Sequence, residues 1–170
     1  MTYASSGTGS TEHLGMELFN SMAGVKINHV PYKEISAARS DLIAGRIPMH
    51  FVNVPSTVAF AASKEMTCMA HTGPEPVSVL PGVPAVSDTV PGFVTWEWNG
   101  LFAPAKTDSG LIARLNGELN EVRREPALEK RLNELGAFTK ANTVAEFTAF
   151  REEQIEFFAE IVKTANIRIE

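Results

Sequence analysis

The run Ser5-Ser6-Gly7-Thr8-Gly9-Ser10 sits directly before the helix-like Thr11-Glu12-His13-Leu14-Gly15-Met16-Glu17-Leu18-Phe19. Its residue types suit anion binding. Glycines allow a loop to turn several backbone N–H groups toward one point. Ser10 stands in N-cap position, so the positive end of a helix dipole lies behind the loop. Such a loop holds carboxylate, phosphate or sulfate oxygens. It lacks the lysine of a nucleotide P-loop, and Gly7-Thr8-Gly9 does not complete a dinucleotide fingerprint, which disfavours nucleotides. The bland alternative, a Gly-rich turn feeding a capped helix, needs no ligand.

Other candidate groups are scattered. His13 falls about one turn after Ser10, within reach of supporting the loop by a hydrogen bond. Ser5 or Ser6 with His13 is the only conceivable nucleophilic pair, but no Gly-x-Ser-x-Gly elbow surrounds either serine. No catalytic residue is expected, and the chain reads as a non-enzyme. His13, His29, His50 and His71 show no metal-ligand spacing, so neither a metal nor a cofactor is expected. Asn53 closes a strand-like segment just before Val54-Pro55-Ser56. Ligands gather beyond the carboxyl ends of strands in open α/β sheets, which makes Asn53 either a polar contact or a turn cap. Tyr32 and Lys33 follow an earlier strand in the same way and read equally well as an exposed turn. Trp96 and Trp98 share a face if their segment is a strand, and there suit core or hinge packing.

These groups must be positioned by a chain of 170 residues, 44% hydrophobic and 21% charged, the composition of a globular domain with enough core to fold. A formal net charge of −5 and the lack of a Lys/Arg run give no reason to expect nucleic acid or a membrane surface. Cys68 lies in the apolar run Met66-Thr67-Cys68-Met69-Ala70 and reads as a buried small residue. No apolar stretch reaches the ~20 residues of a membrane span.

Helix-like and strand-like segments alternate, which predicts an α/β fold. The first helix is expected from Ser10 to Ala23 with Gly24 as its stop, and Val25 to Val30 reads as a strand ending at Pro31. Ser36 to Ala44 reads as a short helix, Ile47 to Val54 as a strand, and Pro55-Ser56 as a helix opening. Glu65 to His71 is predicted as a buried strand. A Pro/Gly-rich connector follows, and then an extended strand from Phe93 to Ala103. Beyond Pro104 the pattern turns helical, with apolar stripes at Ile112, Leu115, Leu119 and Val122, and at Leu128, Leu132 and Leu135. The last helix should open at Thr143 with a capping box to Glu146 and carry Phe147, Phe150, Phe157, Phe158 and Ile161. A boundary is expected near residues 93–104, dividing 1–95 from 96–170.

The order of these signals is more specific than any one of them. Tyr3 to Leu14, His29-Val30-Pro31-Tyr32-Lys33, Asp41 to Gly45, Phe51 to Ser56, Leu80 to Pro84, Gly100 to Ala105 and Leu115 to Leu119 occur in sequence. In this the whole chain resembles the substrate-binding proteins of tripartite tricarboxylate transporters, the Bug-type solute receptors. The resemblance implies a periplasmic-binding-protein fold of two α/β lobes joined by crossing strands, with a small organic carboxylate held in the cleft. It implies that Ser5, Ser6, Gly7, Thr8, Gly9 and Ser10 form the second-lobe jaw, with His13, Tyr32, Lys33 and Asn53 near the ligand.

Residues 1–95 would then be the second lobe, and 96–170 the crossing strand and helices returning to a first lobe that this chain lacks. Membrane transporter subunits are the implied partners and the periplasm the implied location, although a chain starting natively at Met1 without an export signal would stay in the cytoplasm. The chain departs from the family pattern in carrying Val52 before Asn53, where an acid is common, Glu34 after Tyr32-Lys33, and Ala4 after Tyr3. A truncated, non-binding homologue acting as a protein–protein interaction module or a domain-swapped homodimer is the alternative.

Overall fold

A computed structural model describes residues 1–168. At its centre two short parallel strands, β1 (Thr2–Ser5) and β2 (Asn28–Pro31), pair with Tyr3 opposite His29 and Ser5 opposite Pro31. A parallel pair requires a crossover, and helix α1 (Thr11–Ala23) supplies it. Its ends are where local chemistry dictates. The Ser10 hydroxyl accepts the His13 N–H, and Gly24 takes the left-handed conformation at φ 65°, where its N–H donates to the Asn20 carbonyl. Asn20 also stitches the exit of α1 to the entry of β2. Its Nδ2 donates to the Ile27 carbonyl at 3.1 Å, and its Oδ1 accepts the Ile27 N–H at 3.1 Å.

Helix α2 (Ile35–Ile43) follows β2 and covers the sheet, burying Ala38 against Ala4 and Ile47 with Val30, Tyr32 and Leu42 around them. The segment after α2 runs along the other edge of β1. There the Ala4 N–H donates to Met49 O at 2.8 Å and the Phe51 N–H to Ala4 O at 3.3 Å, giving one parallel rung, Ala4 to His50. A 3₁₀ turn at Val54–Ser56 and the short helix α3 (Val58–Ser63) come next. A connector folded mostly on local turns leads to Phe93, which is buried edge-on against Phe19.

The C-terminal part is helical: α4 (Ser109–Val122), α5 (Pro126–Glu134) and α6 (Val144–Thr164). Asp108 caps α4 and Pro126 opens α5. The Thr143–Glu146 capping box starts α6 as its sequence predicts. Helix α6 packs back on α1 and α4 and buries Ile161. Trp98 lies edge-on to Phe147 and Phe150 of α6, and Trp96 to Phe138 in the connection between α5 and α6, so both tryptophans fasten the extended segment onto the C-terminal part.

Strands are fewer than the alternation of residues suggests. Ile47 to Val54 contributes a single rung. Glu65 to His71 contributes only the isolated bridge His71 to Ala85, and its Met69 is 63% exposed. Phe93 to Ala103 is extended but forms no ladder among the described residues, with Leu101 and Phe102 largely exposed. A strand exists only when its N–H and C=O groups meet another strand, and these segments meet turns or solvent instead. The second strand also starts at Asn28 rather than Val25, because Val25 N–H donates to Asn20 O in the turn leaving α1. Cys68 is half-buried rather than buried.

Candidate functional site

Parallel topology decides where chemistry can gather. β1, β2 and the His50 rung all point the same way, so the loop Ser5–Ser10, the entry of α2 and Asn53 emerge at one edge. A recess of about 240 Å³ opens there, lined by Ser6, Ser10, Thr11, Glu12, Ile35, Asn53 and Glu97.

The loop is held from behind by aromatic stacking. Tyr3, His29 and His13 form a stack in which the two imidazoles lie 3.8 Å apart and nearly parallel. Ser5, fully buried, shares a 2.6 Å hydrogen bond with His29 Nε2, and its Oγ accepts the Gly7 N–H at 3.1 Å. His13 Nδ1 accepts the Gly9 N–H at 3.0 Å, the loop support expected of that residue. The bond from Gly9 needs an unprotonated Nδ1 on His13, whereas His29, with the Ser5 hydroxyl donating to Gly7 O, can donate to Ser5 in either ring state. Burial and then the neighbouring His13 hold His29 down at about 4, and burial lowers His13. Glycines are required at two loop positions, since Gly7 and Gly9 take φ of 128° and 80°. Among the described residues the side-chain serine–histidine pair is thus Ser5 with His29, not with His13. It is turned into the core and is the anchor of the loop, not a nucleophile facing the recess.

On the recess side, two helices begin. The N–H groups of Thr11 and Glu12 at the start of α1, and of Ile35 at the start of α2, have no protein acceptor among the described residues. Glu34, the N-cap of α2, makes no side-chain cap. Two partial positive poles therefore face one volume, with the hydroxyls of Ser6, Ser10 and Thr11 along its wall. Part of the cradle is already taken by the protein's own acid, because the Ser6 N–H donates to the Glu12 carboxylate. Burial raises the pKa of Glu12 and Glu97 adds to the rise, against the lowering effect of the Ser6 bonds.

Of the residues singled out from sequence, Ser6, Ser10 and Asn53 line the recess. Gly7 and Gly9 shape the loop and Thr8 stands exposed on it. Ser5 and His13 lie behind it. Tyr32 and Lys33 are elsewhere: the Tyr32 hydroxyl donates to Asp41 at 2.9 Å, and Lys33 is exposed and does not line the recess. Of the two roles considered for Asn53, the structure shows the turn cap. Its Oδ1 caps the 3₁₀ turn by accepting the Ser56 N–H, while Nδ2 donates to Glu97 at 2.8 Å. Sequence reasoning missed Glu12 and Glu97. Glu12 carried a readable signal, a carboxylate in the first turn behind a loop of free N–H groups, whereas Glu97 arrives from 44 positions away.

Comparison with known proteins places the fold in a family. The model of the tripartite tricarboxylate transporter family receptor matches residues 1–167. The chain is 30% identical over 158 residues to the UPF0065 protein in the clcB-clcD intergenic region of Pseudomonas knackmussii, covering 92% of this chain and 94% of that protein. The solved structure of R. palustris Rpa4515 with adipate superposes with a TM-score of 0.87 at 29% identity, over 98% of this chain and 56% of that one. A structure described as a periplasmic transporter gives a TM-score of 0.88 at 30% identity, over 99% and 57%. The chain therefore spans nearly all of one relative but little more than half of the solved ones. On the family match, this chain belongs to the tripartite tricarboxylate transporter receptors, with the fold of a periplasmic binding protein in part.

Proposed function

We propose that this chain is the carboxylate-gripping lobe of a solute receptor, residues 1–95 forming that lobe and 96–170 the extended segment and helices that run back toward a partner lobe. The observation that carries the reading is the convergence of the α1 and α2 N-termini on one hydroxyl-lined recess. The adipate in the Rpa4515 structure supports a small organic carboxylate as ligand. Ser6, Ser10 and the N–H groups opening both helices grip it. Gly7, Thr8 and Gly9 set the curve of the loop, Ser5 and His13 brace it, and Asn53 closes the far side. The reading is one of binding without chemistry. Delivery to membrane transporter subunits and a periplasmic location follow from the family.

A recess open on one side excludes little water, which weakens each polar contact. We expect millimolar affinity at best for the chain alone, about 4 kcal/mol. Titration with a panel of small carboxylates, read by calorimetry or amide chemical shifts, tests this. Micromolar binding by the monomer overturns the weakened-jaw view, and no shift at Thr11, Glu12 or Ile35 with any carboxylate overturns the site.

A second reading, a homodimeric interaction module, is favoured by the apolar face of α4, where Leu111, Leu115, Leu119 and Val122 are each 44–51% exposed. Two copies would cover one another's faces. Light scattering decides it, and a monomer that binds no apolar dye sinks it.

A further inference from the structure

We propose that the stretch Gly136–Phe138, where α5 ends, positions the Asn53–Glu97 wall of the recess, and that Gly136 is the residue whose smallness allows it. This rests on the carboxylate reading above and assigns part of the grip to the C-terminal helices.

The wall is a pair drawn from two distant segments, with Asn53 Nδ2 donating to Glu97 at 2.8 Å. Asn53 otherwise devotes its side chain to capping its own 3₁₀ turn, and Glu97 is exposed. Each of them, however, has a chain neighbour seated on the same short stretch after α5. Beside Asn53 stands Val54, whose Cγ1 would lie 2.7 Å from a Cβ on Gly136. Beside Glu97 stands Trp96, whose ring meets Phe138 edge-on at 6.3 Å between centroids. Both halves of the wall are thus reached from either side of Ala137.

Gly136 is a glycine for two separable reasons. The first is the backbone. It follows the last turn of α5 at φ 66°, where its N–H donates to Asn133 O at 3.0 Å and the Ala137 N–H to Leu132 O at 2.9 Å. Any residue tolerant of that conformation, asparagine among them, could end the helix there. The second reason is space. A Cβ would stand 2.6 Å from Val79 Cγ2 as well as 2.7 Å from Val54 Cγ1, so bare backbone lies directly against both valines. Gly24, Gly45 and Gly82 are also left-handed, yet a Cβ on any of them meets nothing within 4 Å, so the close seat is not a property of the turn. Val79 belongs to a turn closed by Leu80 N–H to Val77 O at 2.9 Å and anchored by the buried Leu80. Pressure from position 136 therefore falls on Val54, and through it on the turn that Asn53 caps. The seat keeps Asn53 in the recess lining without placing a side chain of its own inside the recess.

The test separates the two reasons. Gly136→Asn keeps a residue that accepts the left-handed backbone and adds the Cβ that meets the valines. In the 170-residue chain it should move the Asn53 side-chain amide and Ser56 backbone amide signals without any ligand present. It should also weaken adipate binding about fivefold, the scale of one misplaced hydrogen bond. Gly82→Asn, at an equally left-handed site in open space, should leave those signals in place. Adding Val54→Ala and Val79→Ala to Gly136→Asn removes the methyl groups it meets, and should bring adipate affinity back to within about twofold. Phe138→Ala tests the other contact at a side chain 74% exposed, and should move the same Asn53 amide through Trp96 and Glu97. Unmoved Asn53 and Ser56 signals in Gly136→Asn, an equal response to Gly82→Asn, or no rescue by the valine truncations overturns the inference. So does movement of those signals with adipate affinity unchanged. If adipate shifts no helix-start amide of the unaltered chain, the carboxylate reading fails, and the ligand-free signals still decide whether this stretch holds the wall. If Gly136→Asn folds poorly, Phe138→Ala decides, and an unmoved Asn53 amide there overturns the inference.

Discussion

The lobe around β1 and the helices after Pro104 use apolar residues in opposite ways. Around β1, side chains are devoted to closure. Tyr3, Ala4 and Ala38 are wholly buried, Phe93 nearly so, and Gly15 is a glycine because Phe51 and Thr95 leave no room for more. In α4 and α5 no residue is buried, although both helices carry a clear apolar stripe. Amphipathic sequence is a demand for a partner surface, and the two regions differ in whether this chain meets the demand. Where it does, side chains can hold a loop to within hydrogen-bond tolerance. Where it does not, a helix rests on its caps and on neighbours at one edge.

That contrast can be broken experimentally. The largest effect should come from Phe93→Ala, which removes a buried ring packed on Phe19. A loss of about 3–5 kcal/mol is expected in denaturant unfolding. A loss below about 1 kcal/mol would mean that this core is no tighter than the helical part. Next, Gly15→Val should cost about 1–3 kcal/mol, since its Cβ would stand 2.9 Å from the Phe51 ring. Its counterpart sharpens the comparison from the other side. A Cβ at Gly117 in α4 meets nothing within 4 Å, so Gly117→Ala should stabilise by up to about 1 kcal/mol. Destabilisation at Gly117 would show that the α4 face is covered in solution.

Acid should act on the lobe before it acts on the helices. His29 and His50 are both held at about 4, His50 by burial and then by Arg39. Depressed histidine values mean that the fold favours the neutral ring. Their stabilisation is complete above the ordinary value of about 6.5 and is lost as pH falls from there toward 4. Glu12 works the other way. Its raised value gives a contribution present below the ordinary carboxylate value and lost as pH rises from there through the raised one. Amide protection near Ser5 and Gly9, taken relative to the intrinsic exchange rate at each pH, should therefore weaken between pH 6.5 and 4, ahead of α4; equal weakening in both regions would separate the histidine stack from loop stability. The smallest change expected is Glu12→Gln. It keeps an acceptor for the Ser6 N–H, removes a buried charge, and should raise the thermal midpoint slightly at about pH 7 but not at about pH 4.

What could be read from sequence follows the range of the forces involved. α1 was legible to the residue, because Ser10 and Gly24 act within one turn of the helix they bound. The capping box of α6 was legible for the same reason. Strands after residue 45 were over-read. Alternation marks which faces could be buried but carries nothing about whether a partner strand is there, and His71 found only Ala85. The site divides along the same line. Ser6, Ser10 and the glycines announced a loop of N–H groups, but the choice of His29 over His13 as partner of Ser5 came from strand register, Tyr3 opposite His29. Glu97 reaches Asn53 across 44 residues through tertiary folding, and no local pattern marks it.

The bracing of α1 onto β2 by Asn20 has a consequence for how this edge of the sheet moves. A primary amide that both gives to and takes from one backbone position imitates a neighbouring strand, so the end of α1 and the start of β2 act as one lever. The other end of that lever is the Ser5–Ser10 loop. Anything that tips α1 must carry β2 and the entry of α2 with it, so both helix starts should swing as a pair.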